Sequence, residues 1–188
     1  MPEREPDPKV KTFLGKLTQL DAGERAKLKR DAGKMIAESQ SIGLFYRLLP
    51  YGLNDAQAET YFLTATLYPM AESGAAGNLG ASLRRARDPK NHKGLDRRIE
   101  ILLDADKTQL PFRLRHAIQF LKSKRVPVNW YRLLDDLQKW NRPSRIAQKQ
   151  WARAYFALPE APIDENNSVL NEIVDDSAEK YQVGVKGE

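Results

Sequence analysis

The sequence predicts an all-α protein. Apolar residues recur three and four positions apart along nearly the whole chain, strict alternation over strand length is hard to find, and several segments open on helix-capping residues. The predicted architecture is two small helical bundles followed by a disordered acidic tail, with the divisions at residues 1–92, 93–160 and 161–188.

Asp7 and Pro8 supply a cap and a first-turn proline, opening a helix with Phe13, Leu14 and Leu17 on its apolar face. Asp21 and Glu24 have the spacing of a capping box and start a helix expected to run through Leu28 to Met35 and Ile36. "SIGLFYRLLP" reads as a short apolar helix that Pro50 ends, because proline removes a donor and clashes with the preceding turn. Asn54 caps the next helix, where Ala58, Tyr61, Phe62 and Ala65 share a face.

Another helix starts near Asn78. Beyond it, Leu95, Ile99, Leu102 and Leu103 form one core stripe, and Leu114, Ala117, Ile118 and Leu121 form a second. Trp130, Leu133, Leu134 and Leu137 make a third, with Trp140 at its end. A last helix beginning near Pro143 carries Ile146, Trp151, Ala154 and Tyr155 inward. The turn formers Pro89, Asn91 and Gly94 in the stretch Asp88 to Gly94 mark the boundary between bundles, and Pro159 and Pro162 close the folded body. The residues beyond are acidic and sparsely apolar, too poor in buried surface to offset the entropy of ordering.

Charge is distributed unevenly. The 188 residues carry +6 overall, yet from Ala161 onward there are two basic and seven acidic side chains, so the body before the tail holds +11. Between Arg84 and Arg125 there are 13 lysines and arginines against five acids, and between Lys139 and Arg153 five bases and no acid. A polyanion is the natural partner for such a body. No window approaches the roughly 18 apolar residues of a membrane span, and "MPEREPDPKVK" lacks the apolar core of a signal peptide, so the chain is expected in the cytoplasm and off the membrane. With no cysteine it forms neither a disulfide nor a thiolate metal site.

Gly74, Gly77 and Gly80 in "GAAGNLG" superficially suggest a phosphate loop. A nucleoside-triphosphate loop needs a lysine and a hydroxyl residue after its last glycine, and a dinucleotide loop needs a preceding strand; neither is present. Two histidines, His92 and His116, cannot make the usual zinc sets. Asp135 and Asp136, adjacent on a helix, diverge by about 100°. Asp104 and Asp106 sit close enough past a helix end to serve a metal-dependent nuclease, the weakest of the readings. No nucleophile and base pair stands out, and no cofactor or metal is expected.

The basic residues make the stronger case. Arg142, Arg145 and Lys149 fall at three- and four-residue spacing and are expected to form one helical ridge for phosphates, which the arginine fork grips in pairs. Five such contacts to a single strand imply a log–log salt slope near −3.5, about 100-fold weaker binding from 50 to 200 mM salt. Trp130, Trp151, Tyr61 and Phe62 lie on apolar faces, so gripping of phosphates is expected to outweigh stacking of bases. The helix pair joined by "NRPSR" also has the look of a helix-turn-helix reader of duplex DNA, with Ser144 to Leu158 as recognition helix.

Six stretches read in order, "TQLDAGERAKLKR", "FYRLLP", "NLGASLRR", "RRIEILLDAD", "VNWYRLLDDLQKW" and "QKQWARAYF", resemble the CasB family, the small subunit of the type I-E CRISPR surveillance complex Cascade. The resemblance runs from about Phe13 to Phe156. It implies two helical bundles, a second copy stacked head to tail in the complex, other Cascade subunits as partners, and no nuclease activity. It further implies a basic surface for the R-loop, touching the heteroduplex of guide RNA and target DNA and the displaced single strand, with sequence read by the guide. The matching basic positions are Lys29, Arg30, Arg47, Arg84, Arg85, Arg97, Arg98 and Arg115, with Arg142 and Arg145 more loosely aligned. Arg47 and Arg98 have a competing role as internal ion-pair partners, Arg98 with Glu100 or Asp104.

Overall fold

The computed structural model describes residues 7–156. Among them the regular structure is helical: α1 (Pro8–Thr18), α2 (Ala22–Arg30), α3 (Ile42–Leu48), α4 (Asp55–Leu67), α5 (Leu79–Arg85), α6 (Lys93–Leu103), α7 (Leu110–Ser123), α8 (Trp130–Gln138) and α9 (Ile146–Phe156), with short 3-10 turns at Ile36–Glu38 and Tyr68–Met70. The expected all-α class is borne out. The acidic tail, residues 161–188, lies outside the described residues.

The capping signals act where the sequence places them. The Asp7 carboxylate accepts from the Lys9 amide, Asp21 and Glu24 form a reciprocal capping box, and the Asn54 side chain accepts from the Gln57 amide. Each such cap stabilises its helix by about 1 kcal/mol. α4 is the central element. Every side chain from Tyr61 to Leu67 on it is buried, including Thr64 and Thr66, whose hydroxyls donate to the Thr60 and Leu63 carbonyls, so this part of the helix is enclosed on all sides. Phe13 of α1 meets Tyr61 edge-on at 4.8 Å, and Phe45 of α3 meets Phe62 at 5.2 Å.

α2 is shorter than its sequence suggests. It stops at Arg30, and Met35 and Ile36 fall in the following 3-10 turn. Asp31 causes the break. Its carboxylate, 1% exposed, accepts from the hydroxyls of Ser39 and Ser41 and from the amides of Gln40 and Ser41, which pulls the loop back over the end of α2. Burial alone would push this carboxyl up, but hydrogen bonds from Ser41, Lys34, Ser39 and Gln40 outweigh it and hold the pKa near 2.

The "GAAGNLG" stretch is a packing device. Asn78 caps α5 through the Ala81 amide and donates to the Gln150 carbonyl of α9. A methyl group at Gly80 would collide with the backbone of Trp151, so glycine here lets α5 and α9 lie almost in backbone contact. This is the most extensive helix pairing among the described residues. Helices on both sides of the Asp88 to Gly94 turn share one apolar cluster, since α5 packs on α9 and both α1 and α4 pack on α8. Trp130 and Trp151 are buried as expected, and Trp140 joins them, donating from its indole to the Ala105 carbonyl. Ile146, expected inside, is instead 43% exposed: α9 begins at that residue and turns Ala147 and Gln148, not Ile146, inward.

Candidate nucleic-acid interface

The predicted basic residues divide by what holds them. Lys29 and Arg30 end α2, Arg97 and Arg98 sit mid-α6, Arg115 lies on α7, Arg142 in the turn after α8, and Lys149 on α9. All seven are exposed, and their side chains make no ion pair or hydrogen bond with another described residue. Lysine and arginine heads in that state project into water on long stems and are available to a polyanion.

Four others are engaged. Arg47 pairs with Glu24 at 3.4 Å, a loose exposed contact of the kind that contributes only about 0–1 kcal/mol. Arg84 donates to the Tyr155 carbonyl at 3.1 Å and is only half-exposed. Arg85 donates to the Ala76 carbonyl and the Ser82 hydroxyl. Arg145 donates to the Leu103 carbonyl at 2.8 Å and to Asp104 at 2.7 Å, so Asp104 takes Arg145 as its partner and not Arg98.

The expected ridge of Arg142, Arg145 and Lys149 is not a helical ridge. α9 begins after Arg145, whose φ of +49° turns the chain into it, and only Lys149 lies on the helix. A left-handed arginine is held there by its two bonds to the end of α6. The turn joining α8 to α9 covers residues 139–145, longer than the three or four residues of a helix-turn-helix.

Sequence reasoning missed a groove. An open depression of about 800 Å³ lies between α2, the Tyr68–Met70 turn and the end of α7. Arg25, Lys29, Lys122 and Arg125 line it, against one carboxylate, Glu72. Arg25 is committed to the fold, since its guanidinium donates to the Leu20 and Thr18 carbonyls. Lys29, Lys122 and Arg125 are exposed and without side-chain partners among the described residues. The only sequence-level signal was the basic excess ending at Arg125; nothing local in "LKSKRV" points across to α2.

It also missed a polar cluster behind α5. Asp96 of α6 accepts from Arg87 at 3.0 and 3.1 Å and from the Tyr155 hydroxyl at 2.7 Å, and its Oδ2 lies 2.7 Å from His92 Nδ1. The Arg87 hydrogen bond, helped by Tyr155 and His92, holds the Asp96 carboxyl well below the usual range despite some desolvation. Desolvation, and next the Asp96 hydrogen bond, pushes the Tyr155 hydroxyl far up.

The remaining carboxylates have separate tasks. Asp106 holds the turn before α7 through the amides of Thr108 and Gln109, Asp135 pairs with Lys139, and the buried Asp136 accepts from the Trp151 indole beside Arg132. Burial raises the Asp136 pKa against the opposing pull of Trp151 and Arg132. No group of three or more histidine and carboxylate side chains converges on a point among the described residues.

The family model described as CRISPR-associated protein Cse2 matches residues 24–156, spanning α2 through α9. The chain belongs to the Cse2 family. A curated relative, the Cse2 protein of Thermus thermophilus, is 31% identical over 124 residues, which is 61% of this chain and 70% of the relative. The crystal structure of M. ruber CasB has a TM-score of 0.68 at 25% identity, covering 91% of this chain and 99% of that one. The CasB resemblance carried by the six motifs is thereby borne out. A chain in the crystal structure of E. coli Cascade bound to a PAM-containing double-stranded DNA target shares the fold, with a TM-score of 0.58 at 22% identity, covering 81% and 97% of the two chains.

Proposed function

We propose that this Cse2 protein is a non-catalytic subunit of a cytoplasmic Cascade complex, holding the R-loop on its basic surface. It works beside the other Cascade subunits and a second copy of itself, against guide RNA and target DNA. Sequence is read by guide pairing, while the protein senses phosphates and strand shape. The observation that carries this reading is the set of exposed cations at Lys29, Arg30, Arg97, Arg98, Arg115, Arg142 and Lys149, none with a side-chain partner among the described residues. Arg47, Arg85 and Arg145 add the donors that their internal partners leave unused, since a guanidinium has five.

Family membership supports the assembly, as does the shared fold with a chain of the DNA-bound E. coli complex. The engagement of Asp104 with Arg145 and of Asp106 with the turn before α7 leaves those carboxylates poorly placed for metal-assisted cleavage.

Replacing Arg97 and Arg98 by alanine in a reconstituted Cascade tests the reading. The account expects the lifetime of the R-loop to shorten about tenfold, equivalent to ~1.4 kcal/mol, with assembly intact. An unchanged lifetime in this variant and in Lys29→Ala with Arg115→Ala would refute it.

A further inference from the structure

Phe112, in the first turn of α7, is 53% exposed, although the helix buries Leu110, Pro111, Leu114, Ile118 and Leu121. A lone exposed apolar side chain is ordinary; the surroundings of this one are not. The His116 ring meets it edge-on with centroids 4.4 Å apart, and the Arg113 guanidinium carbon lies 5.7 Å from its centroid. Those contacts fix the plane of the ring and leave half its surface in water.

The exposed side of the same helix continues with Arg115, Gln119 and Lys122, and α7 contains no carboxylate. Arg115 is itself positioned, with its Cδ packed over the turn at Gly33, whose φ is +84°. At the far end Lys122 opens into the groove that Lys29 and Arg125 line. From Phe112 to Lys122 the helix rises about 15 Å.

We infer that Phe112 is a stacking platform for an unpaired base, with the strand's phosphates following Arg115 and Lys122 along α7 into the groove. The occupant is single-stranded nucleic acid, because a duplex keeps its base faces stacked on each other and offers none to the ring. A base face is recognised by an aromatic ring whatever its sequence, and each such stack strengthens binding about 5- to 150-fold. The other exposed aromatics lack this setting: among the described residues no ring or cation lies against Tyr51, and Phe156 meets Tyr155 edge-on with no cation over it. Tyr46 adjoins the paired Arg47, and Tyr131 adjoins Arg132, which is held by Asp136 and Gln150. The inference rests on the nucleic-acid reading above but adds a contact that charge alone does not supply.

The test uses the full-length chain and a labelled single-stranded pyrimidine oligonucleotide, the same strand made abasic, and the matched duplex. Phe112→Ala is expected to weaken binding of the intact strand about 5- to 150-fold with the salt slope unchanged. Phe112→Trp should restore it and Phe112→Leu should not. The abasic strand and the duplex should bind Phe112→Ala and the parent alike. The ring is exposed, so an unmoved thermal midpoint certifies the fold of each variant. Unaltered affinity in Phe112→Ala, equal loss on the abasic strand or the duplex, or full rescue by leucine would each overturn the inference. Loss in Arg97→Ala with Arg98→Ala but none in Phe112→Ala would sink the stacking platform and leave the basic surface standing. No loss in either would sink both.

Discussion

The α5–α9 seam and the α2–α7 face are both rich in arginine and lysine, yet the fold uses them in opposite ways. At the seam, Arg84 reaches the Tyr155 carbonyl and Arg87 forks onto Asp96 beneath the Tyr155 hydroxyl. On the other face Lys29, Arg115, Lys122 and Arg125 reach no described partner and stand in water. Charge content cannot distinguish the two regions. What separates them is proximity of a carboxylate or an unsatisfied helix-end carbonyl, which only packing decides. Positive charge at the seam is tied into the fold, while positive charge on the face has no described partner and is what the proposed function assigns to a strand.

The largest blow to the seam should come from Gly80→Ala. The added methyl group has only Trp151 backbone to displace, so α5 and α9 must separate. Overpacking of this kind costs about 3 kcal/mol, and the thermal midpoint should fall by about 6–12 °C. A midpoint within two or three degrees of the parent would show that the seam is not tight.

Asp96→Asn comes next. It removes the anion that Arg87 and Tyr155 converge on and should cost about 2–3 kcal/mol near neutral pH, measured by denaturant unfolding. The folded carboxyl titrates below its unfolded value, so its stabilisation is complete above the ordinary carboxylate pKa of about 3.9 and fades as pH falls. Asp31, held near 2, loses its contribution over the same acid window. The parent should therefore weaken steeply from about pH 5 to pH 2, and the gap to Asp96→Asn should close over that range. A gap that stays constant with pH would mean that Asp96 titrates normally.

Helices were legible in the sequence because their signals are local. Asp7, Asp21, Asn54 and Asn78 all cap where their spacing says. Failures arose where a distant residue overrides a local pattern. Asp31 ends α2 by gathering the amides and hydroxyls of residues 39–41, a contact across ten positions that periodicity in Met35 and Ile36 conceals. Arg145 appeared to continue a helical ridge until its bonds to α6 turned the backbone left-handed. The candidate surface was half legible. The basic excess was visible, but the facing of Lys29 and Arg125 across a groove depends on how α2 and the end of α7 flank the Tyr68–Met70 turn, and the exposure of Phe112 depends on which side of α7 is covered.

The smallest effect on stability should accompany the clearest effect on binding, and the two regions are separated most directly by salt. The measurement is single-strand affinity from 50 to 200 mM salt for Lys29→Ala with Arg115→Ala, beside Arg87→Ala. The account predicts a log–log slope shallower by about 1.4 in the double variant, two phosphate contacts at 0.7 each, with an unmoved thermal midpoint. Arg87→Ala should lower the midpoint and keep the parent slope. A double variant with the parent slope, or an Arg87 variant that flattens it, would contradict the division between cations that hold the fold and cations that hold a strand.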